Sequence, residues 1–269
     1  MKLRTIIVFA ICTLFARVAS AQALNSDFVQ DPDKLHVSVT PYLWFAGIDG
    51  DIALGPYEAN FNVPFHKIFD NIKFGVMGAI DVRKNHVVYI GDLIWLKVGE
   101  NRAVARENIP PDTTIYARQN TFMWDNEIGY RGVATDRFNL DALVGLQYWH
   151  VGAGINLTPP IVIPPGLNVG QIASGNGFYQ STNFVAPVMG LRVQAKIVKG
   201  VAGFVRTDIG GFGAGSDLTG QVLAGLSFPV KKLGIDLGYR RLYLSQGHKT
   251  LTEQVTLQGI FLGFTFGIK

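Results

Sequence analysis

Residues 201–231 read VAGFVRTDIGGFGAGSDLTGQVLAGLSFPVK. Phe204, Arg206 and Asp208 alternate with Gly203, Val205, Thr207 and Ile209. After the glycine-rich run Gly210–Asp217, Leu218, Gly220, Val222, Ala224, Leu226 and Phe228 alternate with Thr219, Gln221, Leu223 and Gly225. A period of two is that of a β-strand, whose successive side chains point to opposite faces. Charge on one face and an apolar band on the other suit a strand with hydrocarbon in front and water or polar protein behind. The stretch therefore predicts strand, tight turn, strand. Its glycines lack the lysine and following helix of a phosphate-binding loop, which leaves a hairpin turn.

The first residues are of a different kind. Lys2 and Arg4 precede an apolar run from Ile6 to Phe15, and Ala19-Ser20-Ala21 supplies small residues for cleavage. This predicts a secretory signal peptide over residues 1–21, too short for a membrane-spanning helix. Cys12, the only cysteine, lies inside the apolar run, away from the cut, so a lipoprotein is not expected. Its removal leaves no thiol chemistry and no disulfide framework. Without Lys2, Arg4 and Arg17, the 24 basic residues fall to 21 against 20 acidic ones, a net charge of +1. No basic face suggests nucleic acid. Past the leader, no run approaches the ~18 apolar residues of a membrane helix, and the apolar residues come in alternation.

The same alternation recurs down the chain. A lead-in over residues 22–34 precedes a barrel domain over 35–269, with expected strands Leu35–Ala46, Ile72–Lys84, Val87–Val98, Thr113–Val133, Phe138–Ile155 and Asn183–Lys199. The hairpin of residues 201–231 follows, then Ile235–Ser245 and Thr252–Ile268. Connections near Asn85, Thr135, Lys199 and Lys232 are tight. Those over Gly47–Asn71, Gly99–Asp112, Leu157–Thr182 and Gly210–Asp217 are mostly longer, and Asp49-Gly50 reads as a turn. Within the first of these, residues 60–63 suit a short strand and His66–Asn71 one helical turn with Ile68 and Phe69 inward. Short turns on one side and longer loops on the other are the outer-membrane pattern. The fold class expected is all-β: a transmembrane antiparallel up-and-down barrel of about ten strands (8–12), closed so that no backbone edge meets lipid.

On this reading the lumen carries Asp81, Asp92, Asp125, Glu127, Asp141, Asp208 and Asp236 with Arg83, Arg131, Arg192, Lys196, Arg206 and Arg240. Near balance of sign predicts an ionic network filling a narrow barrel, since unpaired buried charges cost several kcal/mol each. A narrow path for ions or small polar solutes is the alternative. Arg241 falls on the lipid face, where it either snorkels to the headgroups or marks a bulge. Trp95, Trp124 and Tyr243 are expected in aromatic girdles at the interfaces. Asn126 breaks the apolar face of its strand.

Catalytic chemistry has one candidate. Ser245, His248 and Glu253 gather near a strand end, the residue types of a lipid hydrolase, but their spacing follows no known signature. The five histidines form no ligand pair, so neither metal nor cofactor is expected. The chain is not expected to be an enzyme.

Several stretches also carry a resemblance. They are Thr40-Pro41-Tyr42-Leu43-Trp44 leading to Gly47-Ile48-Asp49-Gly50-Asp51, Phe69-Asp70-Asn71-Ile72, Gly129-Tyr130-Arg131, Val188 to Arg192, Asp208 to Thr219, and Leu237-Gly238-Tyr239-Arg240. In this order they resemble a widespread, functionally uncharacterised family of Gram-negative outer-membrane β-barrel proteins. The resemblance implies a barrel in the cell outer membrane, with outer-membrane lipid and the outer-membrane assembly machinery as partners. It supplies no catalytic residue. Ala186 stands before Pro187 where similar proteins often have aspartate, and Lys269 follows Phe264 and Phe266 where such barrels usually end on an aromatic. The expected role is structural or interactive, with an unknown extracellular ligand at the loops as a further partner.

Overall fold

In the computed structural model of the protein, the described residues are 33–54, 57–103, 114–158, 178–198, 200–230, 233–248 and 251–268. The expected signal peptide and nearly all of the lead-in lie outside them. The elements are β1 (His36–Leu54), β2 (Tyr57–Val63), α1 (Phe65–Asp70), β3 (Ile72–Lys84), β4 (Val87–Ala103), β5 (Thr114–Ala134) and β6 (Phe138–Thr158). They continue with β7 (Phe178–Val198), β8 (Val201–Gly211), β9 (Leu218–Val230), β10 (Leu233–His248) and β11 (Leu251–Ile268). Every strand pairs antiparallel with its neighbours, and β11 returns to β1 from Val37–Ile268 to Leu54–Leu251. The result is a closed ten-stranded barrel with β2 as an extra strand folded against the upper half of β1.

The first long connection departs from the sequence reading. Asp49-Gly50 is not a turn: both residues lie inside β1, paired with β11 on one side and β2 on the other. The chain reverses only beyond Leu54. Strands β4, β6, β7 and β10 likewise run past their expected ends, so the loops Gly99–Asp112 and Leu157–Thr182 are shorter than expected; their central residues lie outside the described ones. Of the pair expected inward from the helical turn, Ile68 is buried and Phe69 is 59% exposed.

Pro41 lies at this corner. A proline has no N–H to give to a ladder. The β1–β11 ladder accordingly skips Thr40 and Pro41 and resumes at Tyr42, while the β1–β3 pairing runs from His36–Arg83 to Pro41–Gly78, above which β1 and β3 diverge. The short helix α1 packs against β1 there. Its Phe65 ring meets Phe45 edge-on at 5.1 Å, and the N–H of Gly99 in β4 ties down the carbonyl of Asn71 just past the helix end at 3.0 Å.

The two faces segregate as the alternation requires. Val76, Ile80, Ile128, Val144, Leu146, Val185, Met189, Ile209 and Val222 are exposed on the outside. On β5 this band runs from Phe122 to Tyr130, and His86 stacks on Tyr130 at 5.3 Å. At about 3.3 Å per residue and a tilt of about 40°, that stretch rises roughly 20 Å, close to the ~25 Å apolar band of an outer-membrane barrel once ring widths are added. At the upper edge, Phe74, Trp95, Phe122 and Tyr148 form a ladder of rings over four strands, at 4.8, 6.1 and 5.9 Å. Trp124 is half exposed beside this ladder, and Tyr243 is half buried on β10. The misfit Asn126 accepts a hydrogen bond from Tyr89 Oη at 2.7 Å, which satisfies its polar side chain on the outer face. Arg241 is exposed and both ladders of β10 pass it without a register shift, which removes the bulge alternative.

Some inward positions tolerate no side chain. A Cβ at Gly145 would overlap the carbonyl oxygen of Asn126, and one at Gly259 that of Phe45. Both clashes are with backbone, which cannot yield without breaking a ladder. Gly145→Val and Gly259→Val are expected to at least halve the fraction that migrates as a compact band in unheated detergent gels. Gly132→Ala, which meets nothing within 4 Å, is expected to leave it unchanged.

Candidate functional site

The lumen is layered. At its lower end Arg131, Asp141 and Arg192 lie side by side on β5, β6 and β7. Arg131 donates to Asp141 as a fork, Nε to Oδ1 at 2.7 Å and Nη2 to Oδ2 at 3.1 Å, and to Gln194 Oε1 at 3.3 Å. Arg192 donates to the same Asp141 oxygen through Nε at 2.8 Å, and reaches across the lumen to pair with Asp81. Planar guanidiniums suit such two-point contacts. Asp236 accepts from Ser227 and Thr265. Arg83 is buried and Lys196 half-buried near this end, and each has a partner.

The middle layer joins strands from opposite walls. Asp92 and Asp125 are direct neighbours on β4 and β5, a like-charge pair that needs an answer. Arg240 of β10 answers Asp92 at 2.7 Å. Arg206 of β8 answers Asp125 and also lies 3.2 Å from Glu127 and 3.8 Å from Asp208. Neutral donors complete the circuit. Tyr42 Oη donates to Asp92 at 2.6 Å and accepts from Arg240 Nη1 at 2.8 Å. Gln221 accepts from Arg240 Nε and donates to Asp208, both at 2.7 Å.

Above these charges the lumen turns apolar. Trp44, Ile94, Met123, Trp149, Phe184, Leu242 and Leu244 are buried together, with Tyr42 and Phe261 at the boundary. Trp149 stacks on Phe184 at 6.1 Å and donates Nε1–H to Gln147 at 2.7 Å. The Arg240 guanidinium lies 5.1 Å from the Trp44 ring, so it joins the two layers by a cation–π contact.

Asp125, Glu127 and Asp208 each bring one carboxylate oxygen within 4.8 Å of the others. That is a donor set suited to a divalent cation, but Arg206 already contacts all three and supplies positive charge at their centre.

Comparison with known proteins places this geometry. No protein-family model matches the chain, and no curated protein matches it. Solved structures do. The outer membrane protease OmpT from Escherichia coli aligns over 90% of this chain and 100% of its own, at 10% identity and a TM-score of 0.51. Ail, the attachment invasion locus protein of Yersinia pestis, aligns over 86% and 97% at 13% identity and a TM-score of 0.36. The Pseudomonas putida toluene transporter TodX aligns over 89% and 91% at 8% identity, also with a TM-score of 0.36. At such identities the likeness is one of fold. The chain is an outer-membrane β-barrel protein.

The sequence-predicted lumen set falls into two clusters and a rim in the barrel. Asp81, Arg131, Asp141 and Arg192 form one cluster; Asp92, Asp125, Glu127, Arg206, Asp208 and Arg240 form the other. Arg83, Lys196 and Asp236 lie nearer the lower rim. Sequence reasoning passed over Tyr42 and Gln221 as members of the network, although both sit on the inward parity of their strands. Parity, not charge, was the signal that marked them. Of the hydrolase-like trio, Ser245 lies on the outward row of β10, and the side chains of His248 and Glu253 fall outside the described residues.

Removing one partner from a buried ionic cluster strands the others, at a cost of about 3–5 kcal/mol. Arg206→Met, which leaves Asp125, Glu127 and Asp208 without their common cation, is expected to lower the urea midpoint of the folded barrel clearly. Arg206→Lys is expected to recover only part of it, because a single ammonium nitrogen cannot match the spread, planar donors of the guanidinium.

Proposed function

We propose that this barrel is a sealed, non-catalytic outer-membrane protein that acts through its outer surface and rims, in a structural or interaction role. The observation that carries this reading is the occupancy of the lumen. Arg240, Glu127, Asp125 and Met123 have no exposed surface, and Trp149 is 2% exposed. Side chains from opposite walls bond one another across the axis. A path for hydrated ions through the middle would have to break Arg240–Asp92 and Arg206–Asp125, which lie between low-dielectric walls.

The runner-up is a narrow channel, and one observation favours it. A cavity of about 160 Å³, with Thr40, Asp81, Arg192, Ser227, Asp236 and Thr265 among apolar residues such as Ile90 and Phe204 in its wall, occupies the lower lumen. It is bounded further in by Arg206, Leu223 and Phe261, below the apolar layer. A conducting state would have to displace that layer. The sealed reading needs no such movement.

Planar-bilayer recording separates the two. Purified barrel is expected to give no steady unitary conductance. A steady conductance that changes on Arg192→Ala or Arg206→Ala overturns the proposal in favour of the channel. The lipid profile of a deletion strain is expected to match the parent; loss of a lipid product, reproduced by Ser245→Ala, would instead make the protein a hydrolase.

A further inference from the structure

The outer face of β3, β4, β5 and β7 carries a second feature that the lumen does not explain. Just above the ring ladder of Phe74, Trp95, Phe122 and Tyr148, a cavity of about 310 Å³ is lined by Lys73, Lys97, Tyr116, Arg118, Asn120 and Tyr179 among others. It thus gathers three cations. Among the described residues no carboxylate lies within ion-pair distance of any of them. Each is held in place by local structure. The β3–β4 ladder shifts register between Ile72 and Phe74, so Lys73 is the extra residue of a bulge, a device that re-aims a side chain. Lys97 Nζ lies 4.9 Å from the Trp95 ring and 5.9 Å from that of Phe74. The Arg118 guanidinium lies 4.7 Å from the Tyr179 ring.

The tyrosines are seated as well. Tyr116 Oη lies where a side chain on Gly99 would begin, and Tyr179 Oη does the same at Gly152. Glycine on the neighbouring strand lets each ring lie against the barrel wall. Asn120 accepts from Trp95 Nε1 at 3.1 Å, which leaves its amide nitrogen as a donor.

Height decides the partner. The patch sits at the upper, long-loop end of the apolar band, where lipid headgroups of the outer leaflet meet water. Three like charges sharing one cavity repel one another unless an anion joins them. A ligand here must present phosphate to Arg118, Lys73 and Lys97, and must lay hydrocarbon over the exposed Ile128, Val144 and Leu146 below. We propose that this cavity binds a phosphorylated, multiply acylated glycolipid of the outer leaflet, with the three cations on its phosphates and the two tyrosines against its sugar. The site stands whether or not the lumen conducts.

Full-length mature barrel in detergent can be titrated with bis-phosphorylated lipid A and followed by native mass spectrometry. The expected result is a discrete one-to-one complex, weakened at least tenfold in the Lys73→Gln/Lys97→Gln/Arg118→Gln variant. All three positions are exposed, and the variant's compact gel band verifies folding. On the unchanged protein, enzymatically dephosphorylated lipid A is expected to bind at least tenfold more weakly, and millimolar inorganic phosphate or phosphatidylglycerol is expected not to displace the ligand. Equal binding of the dephosphorylated lipid, equal binding by the triple variant, or displacement by inorganic phosphate or phosphatidylglycerol would each overturn the assignment.

Discussion

Within hydrocarbon no water is available to satisfy a peptide N–H or C=O, so each must find a partner in the chain itself. Closure between β1 and β11 follows from that constraint, and so does most else in this barrel. Closure fixes which residues face inward. It also forbids any long interruption of the ladder. Pro41 comes nearest to breaking this rule, because it cannot donate, and the β1–β11 ladder skips Thr40 and Pro41 for that reason. The chain meets the difficulty by extending β1 upward against β11 and β2, and by packing α1 near the point where β3 leaves. The six-residue helix packs beside the seam that strand pairing leaves open, and the carbonyl of Asn71 just past its end takes its hydrogen bond from Gly99 of β4.

Closure of so narrow a barrel also forces strands from opposite walls close enough for side chains to meet. The interior is then filled in two ways, and their separation is physical. Charged residues lie in the lower and middle lumen, where guanidiniums bridge carboxylates from several strands. Apolar residues fill the layer above, and Val88, Ile90 and Leu143 form a smaller apolar cluster beside the lower charges. Arg240 is the joint between them, bonded to Asp92 and Tyr42 on one side and against the Trp44 ring on the other. Because breaking one partner leaves several charges stranded, the network makes the arrangement specific as well as stable.

The parity of the charge-bearing strands was legible in the sequence, since alternation is a local property and a slip of one residue would turn all charges toward lipid. The same holds for the barrel class and for the inward charges. Which charge meets which was not legible. Arg192 and Asp81 lie on β7 and β3, far apart in sequence, and their meeting depends on the shear of the closed sheet. Turn chemistry misled at Asp49-Gly50, because two flanking ladders outweigh a local preference for reversal. Phe69 looked like a core residue on a helical turn. It is exposed because α1 buries only the side that carries Ile68. The cation patch at Lys73, Lys97 and Arg118 escaped notice for a related reason. A bulge at Lys73 and aromatic neighbours on adjacent strands bring it together, and neither is a pattern along one strand.

Ala186 shows how the charged and apolar fillings of the lumen meet. It is fully buried on β7, directly opposite Gln147 of β6, between the inward Phe184 and Val188. Gln147 Oε1 accepts from Trp149, while its Nε2 has no acceptor among the described residues. An aspartate at 186 would offer that acceptor. It would also add a negative charge to a layer in which Asp92, Asp125, Glu127 and Asp208 already share Arg206 and Arg240 as their ion-pair partners. Alanine forgoes one hydrogen bond, worth about 1 kcal/mol net. It avoids burying a further charge without a cation, which costs several times as much. Alanine at this position therefore moves the lumen toward the apolar filling above it and away from a continuous polar path along the axis.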